Sequence, residues 1–318
     1  MAKYFDEEWP KEEEILNIGL KMSRQNKADR QKMKRVFCIG NGESRKGFDL
    51  EQLRPHGKIY GCNAIYRDFK PDVLVGVDHG ITHEIYRSGY AYENECYFRG
   101  FSRLPAMTFD MTVHGTNDKE VIKKNLEKYG TYLPDNRKDE THYIFHGINL
   151  TGKINILVNG KKQNKEIDHT GLYVTWVRDD DKAHDLADII KPKDRGWACG
   201  ATSGLIALLK EQPDELYMIG HDLNSKDGKL NNLYKGTKCY APAQQSAIPS
   251  VNWIDQWKKL FREFTDTKFY KVNEVVEDKP NEIYVKDDVN KKVLEWDGTV
   301  KNLDYIDFNE LKRRLTLA

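Results

Sequence analysis

Three places in this 318-residue chain put polar side chains where chemistry is easiest to build. In the first, the apolar run "RVFCIG" ends in the glycine-rich stretch "GNGES". Gly40, Gly42 and Ser44 would offer backbone amides and a hydroxyl to phosphate, while Asn41 and Asn63 offer both donor and acceptor to a ribose or a base. A tight strand-to-helix turn with capping residues accounts for the same letters. In the second place, Asp78 and His79 are followed by His83 one helical turn later. Either of the first two could take a proton from an attacking hydroxyl, and a carboxylate partly desolvated by a bound ligand titrates closer to neutrality, which puts Asp78 first and His79 second. The third is His221-Asp222, where His221 competes as base or is a bystander at the site's edge. Thr202-Ser203-Gly204 joins these as an expected helix start, whose open amides and positive dipole end suit a diphosphate or a carboxylate; plain capping by Thr202 or Ser203 is the other reading.

The elements that must position these residues follow from hydrophobic pattern. "RVFCIG", "KIYGCN" and "DVLVGVD" are short, flat apolar runs, as expected of strands buried on both faces of a parallel sheet. Residues 118–129 have helical spacing, and 142–178 is rich in strand signals, with Asn159-Gly160 as a hairpin turn. The pattern resumes with a helix in "ATSGLIALLKEQ", a strand in "DELYMIGHDL", an amphipathic helix in "NWIDQWKKLFREF" and a last strand in "KFYKVN". Alternating strands and helices imply an α/β fold: a Rossmann-like, doubly wound, mainly parallel sheet with an inserted strand-rich segment and helical terminal arms. Such a sheet binds ligands beyond the carboxyl ends of its strands, where all the candidates fall. The expected organisation is a charged helical arm over 1–35, a Rossmann-like domain over 36–275 with an insertion at about 134–192, and an extension over 276–318. Its tail, "NLDYIDFNELKRRL", reads as a helix with an apolar stripe that covers the sheet edge or a partner subunit in a homo-oligomer.

Composition narrows the class. The chain is 39% hydrophobic and 32% charged, with net charge +1, so no global field draws it to nucleic acid. It has no run approaching the roughly 20 apolar residues of a membrane span, and its start is too acidic for a signal peptide, which implies a cytoplasmic protein. Five scattered cysteines without CxxC spacing indicate neither a disulfide framework nor a zinc site, and Cys38 and Cys62 read as small core residues. "GNGESRKG" lacks the third glycine of a dinucleotide fingerprint, Asn63 stands where the ribose-binding acid would be, and no GxxxxGK[ST] occurs.

Taken in order, "IGNGES", "GCNAIY", "ATSGLIALLK" and "LYMIGHD" resemble the motifs of bacterial CMP-sialic-acid sialyltransferases over residues 36 to about 270. A related outline occurs in the class that includes a pterin pyrophosphokinase. The chain also looks like proteins of T-even-like phages, some of which put sugars on hydroxymethylated cytosine in their own DNA. The resemblance implies a sialyltransferase-like GT-A-variant fold and an inverting nucleotide-sugar glycosyltransferase using a UDP- or CMP-sugar. Gly40, Asn41, Gly42 and Ser44 would contact the donor's phosphate and ribose with Asn63 nearby, Thr202, Ser203 and Gly204 its diphosphate or carboxylate, and Asp222 its base or ribose. No metal is strictly required by that fold.

The chain departs from the sialyltransferase pattern where an arginine should precede TSG, since Cys199-Gly200-Ala201 stands there and Arg195 lies farther back. A histidine expected downstream of G-x-D is also missing, His221 being the last in the chain. "VRDDDKAHDLAD" carries carboxylates but reads as a solvated turn and helix start. For a DNA acceptor, Arg45, Lys46, Arg67, Lys235 and Lys238 would supply cations near the cleft, and Tyr234 and Tyr240 would supply rings to stack on an extruded base. Two alternatives stand beside DNA glycosylation: transfer to a cell-surface glycan, with "YRSGYAYENECYFRGF" lining the sugar, and ATP-dependent diphosphate transfer like the pterin enzyme.

Overall fold

The computed structural model describes residues 33–107, 111, 115–129, 151–158, 161–168, 175–178, 180–223, 225, 228–248, 251–272 and 300–316. The helical arm expected before residue 33, the Asn159-Gly160 turn and most of the expected extension lie outside them. Along the chain the strands are β1 (Arg35–Ile39), β2 (Lys58–Cys62), β3 (Val73–Gly76), β4 (Cys96–Phe98), β5 (Phe101–Leu104), β6 (Thr151–Val158), β7 (Lys161–Asp168), β8 (Thr175–Arg178), β9 (Ala183–Asp185), β10 (Glu215–Ile219), β11 (Lys268–Val272) and β12 (Leu303–Ile306). Eight form one sheet in the order β12-β11-β10-β1-β2-β3-β4-β9. Every pairing in it is parallel. β5 pairs with β8, and β6 with β7 as an antiparallel ladder in which Val158 faces Lys161.

Burial explains why these strands read as flat apolar runs. Side chains alternate across the sheet, and both faces are covered. Val36 and Cys38 of β1 enter the core beneath helices, with Ala201, Leu205, Trp257 and Leu260. Phe37 and Ile39 enter the opposite core with Ile81, Ile85, Leu311 and Leu315. The main helices are α1 (His79–Arg87), α2 (Lys119–Tyr129), α3 (Cys199–Glu211), α4 (Val251–Glu263) and α5 (Phe308–Thr316). A Rossmann-like, all-parallel α/β sheet is thus what the alternating pattern predicts.

Two boundaries differ from the sequence reading. β9, inside the expected insertion, is an edge strand of the main sheet beside β4. The acidic stretch before it is not wholly solvated, because Asp181 is buried and accepts a hydrogen bond from the Tyr86 hydroxyl at 2.9 Å. At the other edge the tail is not one helix: residues 303–306 form β12, parallel to β11, and a helix begins only at Phe308. The reason is Asp307, whose carboxylate accepts from the Glu310 amide and whose carbonyl accepts from the Leu311 amide, which fixes a helix start in the middle of the expected helix. The apolar stripe of α5 is then covered by its own chain, with Leu311 and Leu315 buried and Phe308 stacked on Phe48.

Candidate functional site

The strand order reverses between β1 and β10. From β1 the chain moves outward through β2, β3 and β4, and after α3 it returns to the other side of β1 as β10. The crevice at such a switch point, beyond the carboxyl ends, is where an open α/β sheet takes a ligand. Here it is bounded by Gly40–Arg45 after β1, Asn63 after β2, Asp78 after β3 and Gly220–Asp222 after β10. A different opening, about 620 Å³ and lined by charged residues such as Arg54, Asp72, Glu95 and Lys182, lies at the amino-terminal edge of β3, β4 and β9. Within it Arg54 donates to the Glu51 carboxylate and to the Lys70 carbonyl, and Lys182 donates to the Glu93 carbonyl.

At the switch point the turn after β1 is welded to the tip of β10. The Gly40 amide donates to the Ile219 carbonyl at 2.7 Å and the Gly42 amide to the Gly220 carbonyl at 2.8 Å. The Glu43 amide donates to Asn231 Oδ1 at 2.9 Å. Both the amide and the hydroxyl of Ser44 donate to Asp222, the amide at 3.0 Å. Gly42 is required because a Cβ there would meet the Asp222 carboxylate, and Gly40 because a Cβ would meet the Gly220 carbonyl. The expectation that Gly40, Gly42 and Ser44 present free amides to phosphate is therefore corrected: the protein's own carbonyls and the Asp222 carboxylate already occupy them. Asn41 points the other way, donating to the Cys62 carbonyl at 3.1 Å and lying 3.4 Å from the Tyr240 hydroxyl. Its Oδ1 is buried without a partner.

His221 is not placed to be a base. Its ring fits a slot where a Cβ on Gly200 would lie 2.8 Å from it and one on Gly40 3.1 Å from it, and the Trp257 ring meets it edge-on at 5.1 Å. Burial, with the charges of Lys271 and Arg45, pushes its pKa down to about 3 against a weaker pull from the Cys38 carbonyl. It is neutral at physiological pH and walled off, with Nε2 buried and unpartnered. Thr202, Ser203 and Gly204 need a second correction. α3 begins at Cys199, with Ala198 as its cap residue and no capping side chain, so these three lie past its first amides. Thr202 and Ser203 are fully buried and return their hydroxyl protons to the carbonyls of Trp197 and Gly200. Gly204 is a packing residue, since a Cβ there would lie 2.6 Å from the Trp257 ring.

The expected acceptor side chains also turn inward. Arg45 is buried, donating to the Gly40 carbonyl at 2.8 Å and to the Tyr234 hydroxyl at 3.1 Å, and that hydroxyl donates to Asp68 at 2.7 Å. Burial, with the Asp68 hydrogen bond, pushes the Tyr234 phenol up to about 12. Arg67 pairs with Glu84, donates to Thr237 Oγ1 and the Lys238 carbonyl, and packs 5.8 Å from the ring centres of Tyr234 and Tyr240. Lys235 pairs with Glu43 at 2.7 Å. Together these residues pin the loop after β10 over the strand tips, and Lys46 and Lys238 remain exposed.

Asp78 fits its expected place. It is exposed at the tip of β3, and Asn63 Nδ2 donates to its carboxylate at 3.2 Å. Asn63 is buried at a φ of 50°, a strained position asparagine tolerates, and its Oδ1 accepts from the Val77 amide. His79 opens α1; its side chain and that of His83 lie outside the described residues. The residue that sequence reasoning missed is Lys271 of β11, fully buried, whose pKa burial lowers to about 8 against the attraction of Asp222. Four of the five cysteines are buried, and Cys62 donates to Ser203 Oγ at 3.4 Å, as suits core residues. Among the described residues no helix is long and apolar enough to cross a membrane, and no group of three or more His, Cys, Asp or Glu could hold a metal ion. Comparisons with protein-family models, with curated proteins and with solved structures give no significant match.

Proposed function

We propose that the protein is a nucleotide-sugar-dependent glycosyltransferase acting by a single, inverting displacement at the carboxyl edge of the β1–β10 switch point. The observation that supports this best is Asp78: an exposed carboxylate, oriented by the buried Asn63, at the tip of β3 on the carboxyl edge of the sheet whose strand order reverses between β1 and β10. In the proposed step an acceptor hydroxyl attacks the donor's anomeric carbon, its proton passes to Asp78, and the bond from that carbon to the nucleotide's phosphate oxygen breaks. The partly buried carboxylate of Asp222 and the neighbouring Asn41 would meet the hydroxyls of a UDP- or CMP-sugar, in place of the phosphate role first expected for the turn.

DNA bearing hydroxymethylated cytosine stays in this reading as an acceptor on resemblance alone. The inward engagement of Arg45, Arg67 and Tyr234 favours a second acceptor class, a glycan, because it removes cations and a ring that a DNA strand would use.

The test pairs binding with turnover. Thermal shift against UDP, CMP, GDP, ADP and their sugars, with and without magnesium, should give stabilisation by a pyrimidine nucleotide. Asp78→Asn should keep that shift and lose roughly 100-fold or more in transfer, the range a general base supplies. Unchanged turnover in Asp78→Asn removes it as base, and a shift with magnesium-ATP alone moves the assignment to diphosphate transfer.

A further inference from the structure

We propose that Tyr240 is a gate over the strand-tip site: its hydroxyl stands where a hydroxyl of a ribose meets the Asn41 amide, and the 236–241 tip of the loop after β10 lifts to admit that ribose. That the ligand is a ribose rests on the nucleotide proposed above; the moving tip does not. The groups beneath the ring are unevenly matched. Asn41 Nδ2 donates to the Cys62 carbonyl at 3.1 Å, which fixes the orientation of the amide and makes Oδ1 its acceptor. That Oδ1 is buried and has no partner, a costly condition that a ligand's hydroxyl would relieve. The Tyr240 hydroxyl accepts from Asn41 Nδ2 and from the Ala64 amide, both at 3.4 Å, longer than an ordinary N–H···O bond, so little holds it there. The 2′ and 3′ hydroxyls of a ribose are adjacent, and each can donate and accept. One would accept from Nδ2 while the other donates to Oδ1, with the Asn63–Asp78 pair next along the same edge.

The loop divides into a fixed base and a tip. An antiparallel bridge between Lys229 and Ser246 closes its neck. Its base is held by the Leu233 amide on the Asn41 carbonyl at 2.9 Å and by the buried Tyr234 hydroxyl between Arg45 and Asp68. Beyond the base, the Gly236 amide donates to the Ala241 carbonyl at 2.7 Å and closes residues 236–241 on themselves. Gly236 has a φ of 75°, and the Thr237 amide on the Tyr234 carbonyl at 3.0 Å forms the hinge turn. Residues 236–239 are exposed. Besides Tyr240, the tip meets the sheet's side of the crevice through Arg67, which donates to Thr237 Oγ1 at 2.8 Å and to the Lys238 carbonyl at 2.9 Å, and through the Cys239 thiol, 3.7 Å from Glu84. Contacts so few and so near solvent open at low cost while the base stays in place. A gate of this kind lowers apparent affinity by the fraction of time it stands open.

Cys239 is the exposed cysteine and the other four are buried, so a nitroxide can be placed on the tip alone. Without ligand, the electron paramagnetic resonance spectrum of labelled Tyr240→Phe should show a mobile fraction about three-fold or more above that of the labelled wild type, since the variant keeps the ring and loses the hydroxyl that holds the tip down. Equal fractions overturn the gate. Titration calorimetry with UDP, CMP and their 2′-deoxy forms then tests what the gate admits. The wild type should bind a ribonucleotide about ten-fold or more tighter than its 2′-deoxy form, and Tyr240→Phe should bind the ribonucleotide about three-fold or more tighter than the wild type does. Equal affinity for the ribo and deoxy forms overturns the ribose, and weaker binding by Tyr240→Phe makes Tyr240 a ligand contact and overturns the gate. If no nucleotide binds either protein, the proposed function falls and the ribose with it, while the label accepts or rejects the moving tip by itself.

Discussion

His221 shows how burial converts a candidate base into a determinant of acid stability. Its folded pKa, about 3, lies below the ordinary value of 6.5. Between those values the unfolded chain binds a proton that the folded protein refuses, so stability is fully present above pH 6.5 and is lost as pH falls toward 3. The shift corresponds to a loss of up to about 5 kcal/mol. Urea unfolding of the wild type should steepen in its pH dependence over that window, and His221→Phe should flatten it; an unchanged slope in the variant would show that other groups govern acid unfolding. At this scale the sequence was a good guide to location and a poor one to use. Gly40, Asn41, Gly42, Asn63, Asp78 and Asp222 all reach the crevice, because a parallel strand's end is marked by where its apolar run stops. Which donors are already occupied depends on contacts such as Ser44 with Asp222, 178 residues apart, which no local pattern encodes. Lys271 was invisible for a related reason: "KFYKV" reads as a last strand, nothing local marks its second lysine as buried, and β12 beside it was unforeseen.

At the scale of elements, α3 illustrates how glycine placement overrides propensity. Gly200 and Gly204 weaken an isolated helix, yet each lies under a ring, His221 in one case and Trp257 in the other. Gly204→Ala should therefore destabilise by about 1–3 kcal/mol despite alanine's better helix propensity. Trp257→Ala alone should cost about 3–5 kcal/mol, and the double variant should fall well short of the sum, since the added methyl enters the space the ring vacates. Denaturant unfolding of the four proteins checks this; strict additivity would separate Gly204 from Trp257. The helix itself was legible from "ATSGLIALLK", while its start was displaced by one turn, because Thr202 and Ser203 also serve as back-bonding residues within a helix. The tail failed differently: four residues of "LDYI" are too few to distinguish strand alternation from a helical stripe.

Across the whole molecule, β12 and α5 belong to the sheet and to its core. Removing residues 300–318 would uncover β11 and withdraw Leu303, Ile306, Leu311 and Leu315 from burial. At about 1.5–3 kcal/mol for each such side chain, that loss is comparable to the whole stability of an ordinary domain. The truncated chain should show no cooperative urea transition and should self-associate on size exclusion; a transition within about 2 kcal/mol of the wild type would make this segment an accessory. The parallel architecture itself was readable from strands flat in hydrophobicity and separated by helices. β1 and β10 are immediate neighbours, yet Arg35 pairs with Glu215, so the two walls of the crevice come from points 180 residues apart along the chain. During synthesis the first wall must wait, with its β1 edge unpaired, until β10 has been made and brought back to it. The crevice is thus a late product of folding: whatever binds there can stabilise the finished protein, but cannot guide its first half into shape.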